Sequence, residues 1–338
     1  MKKIVTFGEI LFRLSKSGYR RLSQTSLFNG NFGGSEANVA VSLSTLGDNV
    51  EYVTRVPDNQ MGRAAILALQ QYGIGLNHVC LGGDRIGEYY FEEAAAMRNS
   101  CVVYDRNNSS FYSMEPGMID WHNVLKDADA FHCSGITCSL SQSAADATFE
   151  AVETAKEMGL TVVCDINYRK NLWKYGADAH ETLHRLCSYS DIIFGDQGEW
   201  EVVTGRKRVP FEALDSNYAV DYPAFENYLK MIHSEFPNCK HIVMAMRNQI
   251  TSSHHTLTGL LYTGEKMYKT KIYDIQDIVD PMGVGDAFVA GFIHARLHYA
   301  DDNQKCLDYS LAASTLKNSV SGDFNLSTDD EIQNLMLQ

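Results

Sequence analysis

The run IVDPMGVGDAFVAGFIHARLH, residues 278–298, changes character twice: an apolar pair and an Asp pass into a glycine-punctuated loop and then into a periodic stretch. Ile278 and Val279 read as the end of a strand, and Pro281 forbids its continuation. Gly283 and Gly285 let the backbone turn tightly and present bare amides. Phe288, Phe292 and Ala295 then recur at helical spacing with Gly291 beside them, which predicts a helix over 285–299 with one buried face. A helix that begins at glycines points unpaired N–H groups at whatever lies before it, so the turn is an anion site made of backbone. Asp286 lies in the same turn, and two readings of it stand. It accepts a proton from a hydroxyl while the amides hold charge on a transferring phosphoryl group, or it is a first-turn carboxylate that favours the helix dipole. No Gly-Lys-Ser/Thr follows, so this is no Walker loop. No strand with an acidic partner follows either, so it is no dinucleotide fingerprint.

The same rhythm of strand, loop and helix fills the rest of the chain. KIVTFG (3–8) is a continuous apolar strand, and further strands are expected at 50–56, 129–133, 161–166, 191–194, 241–246, 258–262 and 267–273. Helices are expected at 35–47, where Ser35 is the N-cap and Gly47 the stop, and at 59–73, 140–158, 197–203, 222–236, 303–319 and 328–336. Such alternation gives an α/β fold, a central, mostly parallel sheet flanked by helices on both faces. Two stretches break the rhythm, 10–33 and the Tyr-rich 87–115, and these should pair as a separate small β-sheet lid. The 338 residues, 45% of them hydrophobic, are enough for one large domain.

A net charge of −13 and the lack of any long Lys/Arg run exclude a nucleic-acid or membrane-surface partner. The eight cysteines include no Cys-x-x-Cys pair and sit mostly in apolar runs such as TVVCDI, as buried free thiols do. With an early Glu9 and no apolar run of about 18 residues, neither a signal peptide nor a membrane span is expected, and the protein should be cytoplasmic. The eleven histidines show no metal-ligand spacing beside a Glu, and no metal is assigned to them.

Ligands of open parallel sheets sit beyond the carboxyl ends of the strands. There the sequence places Asp165, Asn167 and Arg169 in CDINYRKNLW, and Arg169 carries a donor fork suited to carboxylate or phosphate. It also places Asp196 and Glu199 in FGDQGEWE, which either orient a magnesium-bound phosphate through water or simply cap a helix. Asn38, in the first turn of the 35–47 helix, is close enough to the glycines to reach a ligand, although a solvent-facing Asn is the commoner case.

GGSEANVAVSLSTLG, DINYR and DPMGVGDAFVAGF, in this order and spacing, resemble the ribokinase-like carbohydrate kinases over nearly the whole chain. FGEILFRLS, DRIGEYYFEEAAAMRNSCVVYDR, DINYRKNLW and KNSVSGDFNLST are most similar to the 2-keto-3-deoxygluconate kinases among them. The resemblance implies that Asp286 is the catalytic base and that the amides of Gly283, Val284 and Gly285 form the anion hole. It implies that Gly34, Asn38, Tyr89, Tyr104 and Arg106 bind an open-chain sugar acid, and that Arg169 lies between substrate and γ-phosphate. Asp196, Glu199 and Asn318 fall on nucleotide-binding positions. The family's Asn-x-x-Glu reads Asp196-x-x-Glu199 here. Its Thr-x-Gly-x-x-Gly loop is replaced by MAMRNQITSSHHTLTGLLY, with Arg247 as the substitute phosphate contact. The implied activity is ATP-dependent phosphorylation of the C6 hydroxyl of 2-keto-3-deoxygluconate to 2-keto-3-deoxy-6-phosphogluconate. The rivals are a kinase for another sugar or sugar acid (fructokinase-like) and a catalytically silent sugar-acid sensor. Magnesium with the ATP, potassium near Asp280 and a homodimer through the lid are implied as well. Arg106 and Arg169 agree with an acidic substrate, since a neutral sugar needs no guanidinium in so acidic a chain.

Overall fold

The computed structural model describes residues 2–338 apart from 17, 25, 26, 97 and 212–219. Successive side chains on a strand point to opposite faces, and the core follows that period. Ile4, Val163, Ile192 and Val243 enter one apolar cluster with the helices Ser35–Thr45, Val284–His298 and Asn303–Lys317. Their neighbours Val5, Val162, Ile193 and Ile242 enter the clusters of the other face. The main sheet runs Met267–Lys269, His254–Tyr262, His241–Thr251, Ile192–Phe194, Thr161–Asp165, Ala130–Ser134, Lys3–Phe7, Asn49–Val53, with Tyr273–Ile275 also paired to His254–Tyr262. From His241–Thr251 to Asn49–Val53 every pairing is parallel, so the carboxyl ends of these strands share one edge.

The stretches that break the alternation form a second sheet of four strands, in the order Asn29–Gly33, Leu11–Ser15, Gly87–Glu92, Cys101–Asp105. Positions 17, 25, 26 and 97 within them lie outside the described residues. Asp323 joins this sheet to the body. One of its oxygens receives Arg13 Nη1 at 2.9 Å and Asn31 Nδ2 at 3.0 Å, and the other receives the Tyr89 hydroxyl. Each donor comes from a different strand, so a single buried carboxylate fixes three strands at once. Arg13 is buried and its Nη1 also lies 2.9 Å from Asp280, an arrangement in which loss of the guanidinium would leave both carboxylates without their paired donor.

Several expected boundaries are corrected. Ile278 and Val279 belong to no strand: Asp277 turns the backbone at φ 55, and Val279 N bonds to Asn318 O at 2.8 Å instead of to a ladder. The helix expected over 140–158 runs Gln142–Glu157, capped by Ser141, and a short helix at Gly135–Cys138 precedes it. The strand expected over 267–273 is split, because Thr270 spends its hydroxyl on the backbone at Gly259 and Lys271. A helix at Ala179–Ser188 was not expected, since only Leu183, Leu186 and Cys187 of its residues are buried.

Candidate active site

Between the carboxyl edge of the parallel strands and the small sheet lies a cleft of about 1240 Å³. That exceeds the ~300–1,000 Å³ of an ordinary single-ligand pocket and leaves room for two reactants.

Its floor is the turn that begins the Val284–His298 helix. Met282 N bonds to Asp280 Oδ1 at 3.0 Å, and Gly283 caps the helix in the left-handed region at φ 78. A Cβ on Gly283 would stand 1.9 Å from the Asp323 carbonyl oxygen, so glycine is demanded twice over. Gly285 differs: a Cβ there would meet nothing within 4 Å, because its bare side faces the cleft. Phe288 and Phe292 hold the helix to the sheet by edge contacts with Phe194, at centroid distances of 5.9 and 5.6 Å.

Asp286 receives Ser35 Oγ at 2.9 Å and Asn38 Nδ2 at 2.7 Å. Two expectations are corrected by this pair. Asn38 does not face solvent: it is 4% exposed, and its Oδ1 accepts from Gly34 N at 3.2 Å. Ser35 is not the N-cap, a position taken by Gly34 without a side-chain bond, because its hydroxyl is turned to Asp286. A Cβ on Gly34 would come 2.2 Å from the Glu9 carbonyl oxygen, which is what lets these chains cross closely. Asn167 Nδ2 extends the network to Ser35 Oγ at 3.0 Å and Asp165 at 2.9 Å. Burial raises the proton affinity of Asp286, partly offset by the bonds from Asn38 and Ser35. A residue that merely favoured the helix dipole would be solvated; this one is held by two donors in the cleft wall.

Arg106 lines the cleft at 4% exposure. Glu9 accepts its Nε at 2.6 Å, and its buried Nη1 has no partner among the described residues. The guanidinium is therefore fixed from behind through Nε, with Nη1 unspent. Tyr104 and Tyr89 share the wall, although the Tyr89 hydroxyl is committed to Asp323. Arg169 is more exposed, with Nη1 on Tyr168 O at 3.0 Å and 3.7 Å from Glu199. Asp196 and Glu199 form a reciprocal capping box on the Gln197–Thr204 helix, so their capping reading is established. Burial, then the Asp196 carboxylate, pushes Glu199 up to about 7. Burial, then Glu199 and Asp286, raises Asp165 well above the carboxylate range.

Arg247 lines the far end of the cleft. No loop interrupts the chain there, because His241–Thr251 and His254–Tyr262 form one long antiparallel hairpin. Asn318 is not among the residues brought to the cleft. It is buried outside the cleft lining, and its amide donates to Ser314 O at 3.0 Å and Thr315 O at 3.3 Å of its own helix. Near Asp280, where potassium was expected, the carboxylate is already paired with Arg13. Sequence reasoning missed Glu9, Arg13 and Asp323. The signal for Arg13 was present: in LFRLS it shares the inward face with Leu11 and Ser15, where an arginine requires a buried partner. Val202, Arg208, Val209 and Phe211, which also wall the far end, carried no such signal.

The pattern of the pfkB family carbohydrate kinases matches residues 1–329. The chain is a pfkB family carbohydrate kinase. The kinase is 30% identical over 335 residues to a 2-dehydro-3-deoxygalactonokinase of Haloferax volcanii, covering 99% of this chain and 96% of that one. It superimposes on a 2-dehydro-3-deoxygluconokinase crystal structure from Thermotoga maritima with TM-score 0.92 and 33% identity, covering 100% of both chains. A putative ribokinase II from E. coli in complex with ATP and Mg+2 shares the fold at TM-score 0.80 and 21% identity, over 100% and 99% of the chains. No helix of the described residues is long and apolar enough to cross a membrane.

The two glycines of the turn give the kinase a paired prediction. Gly283→Ala should lower the melting midpoint and abolish turnover, because the positive φ alone costs about 1–3 kcal/mol and the carbonyl clash adds to it. Gly285→Ala should leave the midpoint within about 0.5 kcal/mol of wild type yet lose turnover, because its methyl projects into the cleft. Thermal denaturation and ADP release check both, and a fully active Gly285→Ala enzyme would remove that amide from the reaction.

Proposed function

We propose that the kinase transfers the γ-phosphoryl group of ATP to the C6 hydroxyl of 2-keto-3-deoxygluconate (2-dehydro-3-deoxygluconate), giving 2-keto-3-deoxy-6-phosphogluconate. The observation that carries this reading is Arg106, buried, braced by Glu9, and with Nη1 unspent in the cleft wall. A C1 carboxylate satisfies it with a charge-assisted bond, whereas a neutral sugar leaves it unpaired. The likeness to the Thermotoga maritima 2-dehydro-3-deoxygluconokinase supports the gluco epimer, and the Haloferax volcanii relative favours its galacto epimer as the second reading.

Asp286 takes the hydroxyl proton, steadied by Ser35 and Asn38. The amides of Gly283, Val284 and Gly285, with Arg169, balance charge on the moving group. Tyr89 and Tyr104 supply ring faces that orient the acid, and Arg247 meets the nucleotide phosphates. Asp165, with raised proton affinity, and the buried Asn167 Oδ1, unpartnered among the described residues, are donors that fit a hydrated divalent cation. Magnesium held there with ATP would neutralise charge on the β- and γ-oxygens. The four-stranded sheet acts as a lid that excludes water as a competing acceptor, and its outer side, with Val103 and Leu27 exposed, is the surface through which two copies pair.

A coupled ADP-release screen over neutral sugars, aldonates and both 2-keto-3-deoxy acids tests the assignment. Turnover should be confined to the keto-deoxy acids, and equal turnover of a neutral hexose would reject it.

A further inference from the structure

Beneath the anion-binding turn lies a buried cluster of four charges. Lys317, at 0% exposure, ends the Asn303–Lys317 helix with Nζ 2.9 Å from Val320 O and 3.4 Å from Asp280 O. Its Cε lies 3.4 Å from where a Cβ on Gly283 would be, so the ammonium group is lodged directly under the first glycine of the turn. Arg13, Asp280 and Asp323 complete the cluster.

Among the described residues, the carboxylate oxygens that a monovalent metal ion would seek are already engaged. Asp280 Oδ1 receives Met282 N at 3.0 Å, and Oδ2 receives Gly322 N at 3.0 Å and Arg13 Nη1 at 2.9 Å. Both Asp323 oxygens are likewise engaged, by Arg13, Asn31 and Tyr89. The two carbonyl oxygens that a cation would seek already face Lys317. A lysine is seldom fully buried, and the loss of hydration must be offset by what it holds.

We propose that the Lys317 ammonium group is a built-in monovalent cation: it fixes the 280–285 turn and adds positive potential behind its amides, so phosphoryl transfer proceeds without potassium. Lys317 acts through the turn and is a positioning residue. Burial pushes it down to about 8, countered by Asp280 and Asp323, so it keeps its charge at neutral pH. The inference rests on the reading of Gly283–Gly285 as the phosphoryl site, but one arm of its test needs no substrate.

Wild type and Lys317→Ala are compared in tetramethylammonium and potassium chloride at equal ionic strength, by ADP release and by melting midpoint. Wild type should give the same rate and midpoint in both salts. Lys317→Ala, with space opened under Gly283, should lose about tenfold or more of the rate in tetramethylammonium, and potassium should restore rate and midpoint together. If the variant does not fold, the wild-type comparison still decides. A wild-type rate raised about tenfold by potassium would overturn the proposal, as would a folded variant indifferent to potassium in both readouts. If no acceptor in the substrate screen is phosphorylated, the functional reading fails on its own, and the melting arm still tests Lys317.

Discussion

Asp286→Asn should reduce kcat by about 10²–10⁴, the usual contribution of a positioned general base, while the protein stays folded and still binds nucleotide. The amide fits the carboxylate's place. Its oxygen can keep the bond from Asn38, and its NH₂ can face Ser35 Oγ, which is free to rotate. Stability should not fall. Burial raises the folded carboxyl above its unfolded proton affinity, so ionising it at neutral pH costs the fold something that the amide does not incur. The same sign fixes the pH profile. Turnover requires the carboxylate form, so wild-type kcat should decline as pH falls through a value above the ordinary carboxylate range, and Asp286→Asn should lack that acid limb. Rate–pH profiles of both proteins, with ADP release as the signal, would show it.

Removing the Arg106 guanidinium should split acidic from neutral substrates. Arg106→Ala is a poor probe, because it leaves the buried Glu9 carboxylate without its 2.6 Å partner, at a cost near 3–5 kcal/mol. Arg106→Gln combined with Glu9→Gln removes both charges and retains hydrogen-bonding side chains. In that double variant kcat/KM for keto-deoxy acids should fall about 10- to 100-fold, the worth of one hydrogen bond to a charged group, while any residual turnover of neutral sugars stays level. Equal losses on both classes would mean that Arg106 supports the lid and does not read the substrate.

How much of this was legible in the sequence depended on the range of the interaction. The glycine turn, the Val284–His298 helix and the parallel strands rest on local chemistry: Gly283 needs a positive φ, Phe288 and Phe292 share a helical face, and apolar strands sit between two layers. Asp286 and Arg106 stood out only through the order of motifs along the chain. The partners that orient them, Asn38 across 248 positions and Glu9 across 97, become visible when the sheet brings distant loops to one edge. For that reason the residues around Asn38 alone left a solvent-facing side chain as the commoner case, and only the resemblance placed it in the site. Asn318 is a different case. It falls next to the right motif, but the last turn of its helix offers its amide two carbonyls nearer than any ligand.

The most direct test is a crystal structure of the kinase with 2-keto-3-deoxygluconate and a non-hydrolysable ATP analogue. A C6 oxygen within about 2.6–3.2 Å of an Asp286 carboxylate oxygen, with the C1 carboxylate on Arg106 Nη1, is the predicted arrangement. A sugar acid bound with its carboxylate turned away from Arg106, or with every hydroxyl out of reach of Asp286, would contradict it.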